Sequence, residues 1–203
     1  MKNNYTRKNK TKKTKTVKRK EIFTEDDYNS HNGMSTSIWG PCMWFFLHTM
    51  SFNYPVEPSD EDKHHYREFI LSLQHVLPCK YCRLNLTKNF KTLPLTMEDM
   101  KNRHRFSLYI YNLHELINKM LLKKSNLTYE DVRERFEHFR GMGPTKVDDI
   151  KKEMGCSEPL YGKKSKTIIK IIPQEVRCNT IQIDKKCIKK RKHIHTENVE
   201  NIK

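Results

Sequence analysis

The segment Cys79-Lys80-Tyr81-Cys82 holds the residues that most directly permit chemistry. Pro78 precedes it and helical spacing begins within it. Two cysteines at this spacing at a helix N-terminus can close a disulfide across one turn. The partial positive charge of the helix end, with Lys80 and Arg83 beside it, favours a thiolate there. A low thiol pKa helps a sulfur both to attack and to leave. The same spacing also serves as half of a zinc site. His75, one turn upstream, is a candidate third ligand, but a fourth must come from elsewhere and there is no second CxxC.

Two aromatic or polar pairs stand beside the cysteines. Trp39-Gly40-Pro41-Cys42-Met43-Trp44 leads into His48 and contains both tryptophans of the chain. Trp44 and His48 are four residues apart, so they share one helical face. His114 and Asn118 repeat that spacing on a stripe with Ile110, Ile117 and Leu121. Polar groups on an apolar stripe must find partners or bear a desolvation cost. All four residues also read as ordinary core residues with satisfied polar atoms.

The elements that position these residues read as five helices between residues 35 and 140. The first follows Ser35-Thr36-Ser37, with Pro41 tolerated in its opening turn. The second starts at Ser59, boxed by Asp62, carries Tyr66, Phe69, Ile70, Leu73 and Leu77, and stops at Pro78. The third begins at Cys79 and runs towards Phe90. The fourth opens at Thr96 with Asp99, and its stripe is Phe106, Tyr109, Ile110, Leu113, Ile117 and Leu121. The fifth opens at Thr128 with Asp131, carries Val132, Phe136 and Phe139, and ends at Gly141. Short connections between amphipathic helices predict an all-α fold, a four-helix bundle plus a short fifth helix.

Charge divides the chain further. The net charge of +16 lies in the tails: residues 1–20 carry ten Lys/Arg and no acid, whereas residues 21–140 nearly balance. The expected organisation is a basic, disordered segment over 1–34, the helical domain over 35–141 and a basic accessory region over 142–203. In that last region Val147–Met154 reads as a short helix, and Thr167–Ile172 and Ile181–Ile183 as short strands. A neutral central module argues against specific nucleic-acid reading, leaving only unspecific tail contacts with RNA, DNA or anionic lipid. No apolar run spans a membrane and no secretory signal is visible. Six glycines without a Gly-rich loop exclude the common phosphate cradles. Cys42 is expected to be buried on the first helix, and Cys42 and Cys156 to be unpaired.

From Ile38 to Gly141 the chain resembles the Erv/ALR family of FAD-linked sulfhydryl oxidases. Trp39 to Thr49 resembles the family's opening helix, with Tyr54-Pro55 following. Pro78-Cys79-Lys80-Tyr81-Cys82 is similar to its PCxxC, Leu113 to Lys119 to its LHNxVN segment, and Val132 to Phe136 to its closing segment. The order and spacing of these motifs together carry the resemblance. Glu115, Tyr109, Tyr111 and Leu122 depart from the family pattern of Asn, Trp, Cys and Gly.

The resemblance implies FAD at the mouth of the bundle, a homodimer, and a thiol oxidase. Electrons would pass from dithiol substrate proteins through the cysteine pair and flavin to O2, with release of hydrogen peroxide. It implies that Cys79 meets incoming thiols and that Cys82 lies nearest the flavin. It implies cofactor contacts from Trp39, Gly40, Trp44, His48, Tyr54, Tyr109, His114, Ile117, Asn118, Lys119, Lys123 and Phe136, and no resident metal. Family members often add a shuttle disulfide on a tail, and Cys178 and Cys187 are candidates; a structural disulfide, a zinc site with His193 and His195, or free thiols are the alternatives. The composition looks most like versions carried by large DNA viruses, which places the protein in host cytoplasm or virion, with the mitochondrial intermembrane space as the alternative. A zinc-stabilised module and a basic-tailed scaffold without redox activity remain the competing functions.

Overall fold

The computed structural model of the chain describes residues 22–141, 159–179 and 181–190. Two compact units divide it, residues 1–32 and 33–203. In the first, Thr24 and Asp27 form a capping box that starts a single helical turn, α1 (Glu25–Tyr28), which the sequence reading did not contain.

The second unit is built from helices. α2 spans Thr36–Phe52, with Pro41 inside its first two turns. Pro41 thus stands in the second turn rather than the opening one, and its missing N–H leaves the Ser37 carbonyl without its i+4 donor. α3 spans Asp60–Val76 behind the Ser59/Asp62 capping box. α4 spans Lys80–Thr92, with Cys79 itself as N-cap. α5 spans Arg103–Met120 and α6 spans Tyr129–Glu137 behind the Thr128/Asp131 box. The expected all-α class is observed.

Helices α2 to α5 close around one core. Leu47, Ile70, Leu73, Leu86, Phe90, Phe106, Ile110 and Leu113 contribute one to three side chains from each helix. Burying a side chain of this size contributes about 1.5–3 kcal/mol, so these residues hold the helices against chain entropy. α6 adds a second, smaller cluster of Phe52, Val132 and Phe136 against α2.

Several expectations need correction. The Thr96–Asp99 pair does bond, with Thr96 Oγ1 donating to Asp99 Oδ2 at 2.6 Å, but it closes a turn rather than a helix. Asn102 then takes extended dihedrals and caps α5, accepting from Arg105 N–H at 3.0 Å. At the other end Leu121 is the C-cap of α5, past its last helical residue, and is exposed. α6 ends at Glu137 rather than Gly141; Arg140 turns back to pair with Glu137 at 2.7 Å and to donate to the Phe52 carbonyl at 2.9 Å. Residues 167–172 and 181–183 form no strand, because no partner segment pairs with them among the described residues. Val147–Met154 and Cys156 lie outside the described residues. Cys42 is exposed, because it lies on the side of α2 turned away from Leu47 and His48.

Candidate functional site

The cysteine pair sits at the corner between α3 and α4. Pro78 prevents α3 from continuing, and Cys79 adopts extended dihedrals as the N-cap of α4. Its sulfur accepts the Cys82 backbone N–H at 3.3 Å. A side-chain hydrogen bond from Cys82, backbone N–H groups of Cys82 and Tyr81, and the Arg83 charge together hold the Cys79 thiol below its ordinary range. Cys82 behaves oppositely: burial and the adjacent Cys79 push it up to about 11. Two of the causes acting on Cys82 depend on Cys79 being a free thiolate. When Cys79 is covalently engaged they vanish, and Cys82 becomes the better leaving group. The Arg83 guanidinium also donates to the Leu77 carbonyl, tying the end of α3 to the start of α4.

Three residues from the segment before and at the start of α2 brace this corner. Met34 N–H donates to the Pro78 carbonyl at 2.9 Å, and Trp39 Nε1 donates to the Met34 carbonyl at 3.0 Å. Gly33 packs so closely that a Cβ there would lie 2.9 Å from the Pro78 oxygen and 3.1 Å from Cys79 Cα. Gly33 and Met34 carried no local signal in the sequence. Beside the corner lies an apolar cleft of about 410 Å³, lined by Trp39, Cys42, Phe46, Leu73, Val76 and Pro78 among others.

The second constellation joins α2 to α5. The Trp44 and His114 rings stack with centroids 3.8 Å apart and planes 6° from parallel. His48 Nε2 lies 3.0 Å from His114 Nδ1, across 66 residues of sequence. Phe136 approaches His48 at 5.3 Å, and Phe52 stacks on Phe136 at 5.7 Å. Phe52 was missed, although it stands four residues after His48, the same spacing that singled out Trp44.

Burial sets the protonation of this pair. Desolvation, then the neighbouring His114, lowers His48 to about 3; desolvation also lowers His114 to about 4, with Glu115 opposing and Lys123 reinforcing. Both rings are therefore neutral near pH 7. His48 Nδ1 is buried without a protein partner. One ring donates to the other across the His48 Nε2–His114 Nδ1 contact, with the tautomer setting which.

Around this core stand the other expected residues. His114, Ile117 and Asn118 are half-buried and Lys119 and Lys123 exposed, which makes a partly open aromatic surface with a basic rim. Asn118 Nδ2 donates to Glu115 at 2.9 Å, so the departure at residue 115 occupies one of its donors. Lys123 N–H caps the end of α5 through the Asn118 carbonyl at 2.8 Å, with Leu122 in a left-handed conformation at φ 55°. Gly40 faces open space. Tyr54 and Tyr109 lie deep in the core, their hydroxyls donating to the Met100 carbonyl at 2.8 Å and the Leu93 carbonyl at 2.9 Å.

Cys178 and Cys187 are free, the first exposed and the second half-buried. His75 is exposed, and among the described residues no group of three or more His, Cys, Asp or Glu is arranged to hold a metal. The third ligand of the zinc alternative is thus not brought to the cysteines.

The geometry fits a flat, electron-poor ligand. A stacked aromatic platform, a neutral histidine donor, an unpartnered buried nitrogen and a rim of lysines suit an aromatic cofactor with a phosphate-bearing tail such as FAD.

Comparison with known proteins meets this geometry. The model of the Erv1 / Alr family matches residues 41–137. A probable FAD-linked sulfhydryl oxidase of Acanthamoeba polyphaga mimivirus is 36% identical over 104 residues, covering 51% of this chain and 72% of that protein. An FAD-linked sulfhydryl oxidase of African swine fever virus is 33% identical over 90 residues, covering 42% and 70%. The mitochondrial FAD-linked sulfhydryl oxidase of Saccharomyces cerevisiae is 25% identical over 84 residues, covering 41% of this chain and 43% of that protein. The cysteine corner, the aromatic-histidine platform and α6 all fall within the matched span: this chain belongs to the Erv1/Alr family.

Proposed function

We propose that the protein is an FAD-dependent thiol oxidase that forms disulfides in substrate proteins, with Cys79 and Cys82 as its redox pair. The observation that carries the assignment of the pair is geometric: Cys79 caps the N-terminus of α4 with its sulfur accepting the Cys82 N–H at 3.3 Å, and Cys82 and Arg83 stand in the first turn behind it. The family and the names of its viral members support the reaction class.

The chemistry of the pair follows. In the oxidised protein a substrate thiolate attacks Cys79 Sγ; the Cys79–Cys82 bond breaks and Cys82 leaves as thiolate. A second substrate thiol attacks the substrate sulfur of the mixed disulfide and releases Cys79. The substrate is oxidised by two electrons, and the protein keeps them as a dithiol. Arg83 and the N-terminus of α4 stabilise each thiolate as it forms. When bound, FAD supplies a two-electron acceptor for the reduced pair, reoxidised by O2 with release of hydrogen peroxide.

Trp44 and His114 would hold the flat rings, His48 would fix the His114 tautomer, and Lys119 and Lys123 would face the phosphates. Gly40, Ile117, Asn118 and Phe136 would line the same seat and Trp39 would border it from the cysteine corner, with Tyr54 and Tyr109 supporting it from the core. Cys178 and Cys187 would relay electrons from bulky substrates; mutating both to Ser should then slow a protein substrate and spare dithiothreitol. The apolar cleft and the exposed Phe46, Phe69 and Val76 on α2 and α3 support a homodimer through this face. The viral relatives favour action in host cytoplasm or virion, and the yeast relative keeps the mitochondrial intermembrane space as the alternative.

The test is the visible spectrum of the purified protein during turnover with dithiothreitol in air. An oxidised-flavin spectrum that bleaches and recovers with oxygen uptake, and stays bleach-resistant in Cys82→Ser, is expected. A protein that binds no FAD, or a Cys82→Ser variant with full turnover, would overturn the assignment.

A further inference from the structure

The described part of the basic C-terminal region, which carries the candidate relay cysteines, also has contacts of its own with the end of α6. Pro159 pairs with Gly141 in an isolated antiparallel bridge, and Leu160 N–H donates to the Arg140 carbonyl at 2.7 Å. Further on, Lys163 N–H donates to the Lys186 carbonyl at 3.0 Å, and Lys189 N–H donates to His138 Nδ1 at 3.2 Å. The Lys189 ammonium lies 4.4 Å from the centroid of the Tyr161 ring. Gly162, at φ +74°, packs against Cys187 so tightly that a Cβ would lie 2.6 Å from its carbonyl carbon. These contacts form a neck that joins residues 163 and 186 and fastens both to the end of α6.

Beyond the neck the loop has a distinctive surface. Ile168, Ile169 and Ile171 are 77%, 71% and 66% exposed. Residues 163–190 carry nine Lys/Arg against two acids and no aromatic residue. Three neighbouring isoleucines in water are costly to leave uncovered, and lysines at 163, 164, 166 and 170 bracket them.

We propose that the loop between Lys163 and Lys186 is a docking element for an anionic lipid surface. The isoleucines enter the boundary between headgroups and acyl chains while the lysine ammoniums remain among the phosphates. Charge complementarity selects an anionic partner. Aliphatic rather than aromatic side chains select lipid over single-stranded nucleic acid, where bases need rings to stack on. The neck holds the ends of the element together beside the end of α6, which lowers the ordering cost of docking.

The experiment is co-sedimentation of the full chain with phosphatidylcholine vesicles, with and without phosphatidylserine. The comparison variant is Ile168→Ser/Ile169→Ser/Ile171→Ser. The ten Lys/Arg of residues 1–20 are present in both proteins, so their contribution cancels. The parent is expected to partition onto the phosphatidylserine vesicles only, and the variant to lose about tenfold or more of that partitioning. Helix content and turnover with dithiothreitol should be unchanged in the variant. Equal partitioning of variant and parent, failure to enrich on anionic vesicles, or tighter binding to a single-stranded oligonucleotide than to those vesicles would overturn the proposal.

Discussion

The cysteine corner and the histidine platform are assembled by opposite means. At the corner the reacting sulfurs and the groups that act on them lie within the seven residues 77–83, braced from outside by Gly33, Met34 and Trp39: Pro78 ends α3, Cys79 caps α4, and Arg83 closes the joint. Its electrostatics are those of a helix end, where a negative sulfur is favoured. At the platform the partners come from α2, α5 and α6, and burial enforces neutrality on His48 and His114. One site stabilises a charge and the other excludes it. A reaction that creates thiolates beside a flat, ring-binding surface needs both conditions separately, so substitutions should separate them too.

The largest expected effect falls on the platform. His48→Ala removes a buried ring from contact with His114 and Phe136 and should cost about 2–4 kcal/mol of stability, measured by urea unfolding. FAD affinity should fall with it, followed by flavin fluorescence. Cys79 in the cofactor-free protein should still react with a thiol reagent at the parent rate. Parallel loss of both would break the distinction between the sites.

Acid should act on the platform next. The unfolded chain takes up protons at His48 near pH 6.5, whereas the folded chain refuses them until about 3. This contribution is complete above pH 6.5 and declines as pH falls through that window. Between pH 6.5 and 4 the loss should be about 2–3 kcal/mol, read from unfolding at each pH. The His48→Phe variant should flatten that part of the profile.

Gly33→Val isolates the other site. The new side chain must displace Pro78 or Cys79 backbone, so the rate of Cys79 modification should fall about tenfold as its hydrogen bonds are disturbed. Flavin affinity should hold. Leu122→Gly gives the smallest effect: Leu122 is 92% exposed and left-handed at φ 55°, so glycine should stabilise α5's end by about 0.5–1 kcal/mol, visible as a modest rise in Tm.

The same contrast explains what could be read from sequence. The helices announced by capping boxes at Ser59 and Thr128 begin where those boxes stand. The Thr96 box misled because a box satisfies the first turn of any i,i+3 segment, and here the turn ended before a helix could propagate. Cys79 and Cys82 were legible because their chemistry is local. The stacking of Trp44 on His114 and the bracing by Gly33 were not, since each joins residues distant in sequence and has no periodic signature. Cys42 was misassigned because helical spacing alone does not say which arc of α2 faces the core when most of its residues are apolar.

The most direct test of the account is trapping at the cysteine corner. A Cys82→Ser variant and a Cys79→Ser variant would each be offered an activated mixed disulfide of a small thiol, and adduct formation would be followed by intact mass. The account predicts rapid, stable adduct formation at Cys79 in the first variant and slower formation in the second, because Cys79 keeps the N-terminus of α4 and the Arg83 charge without Cys82, whereas burial still raises the Cys82 thiol without Cys79. Faster modification at Cys82 than at Cys79 would contradict it.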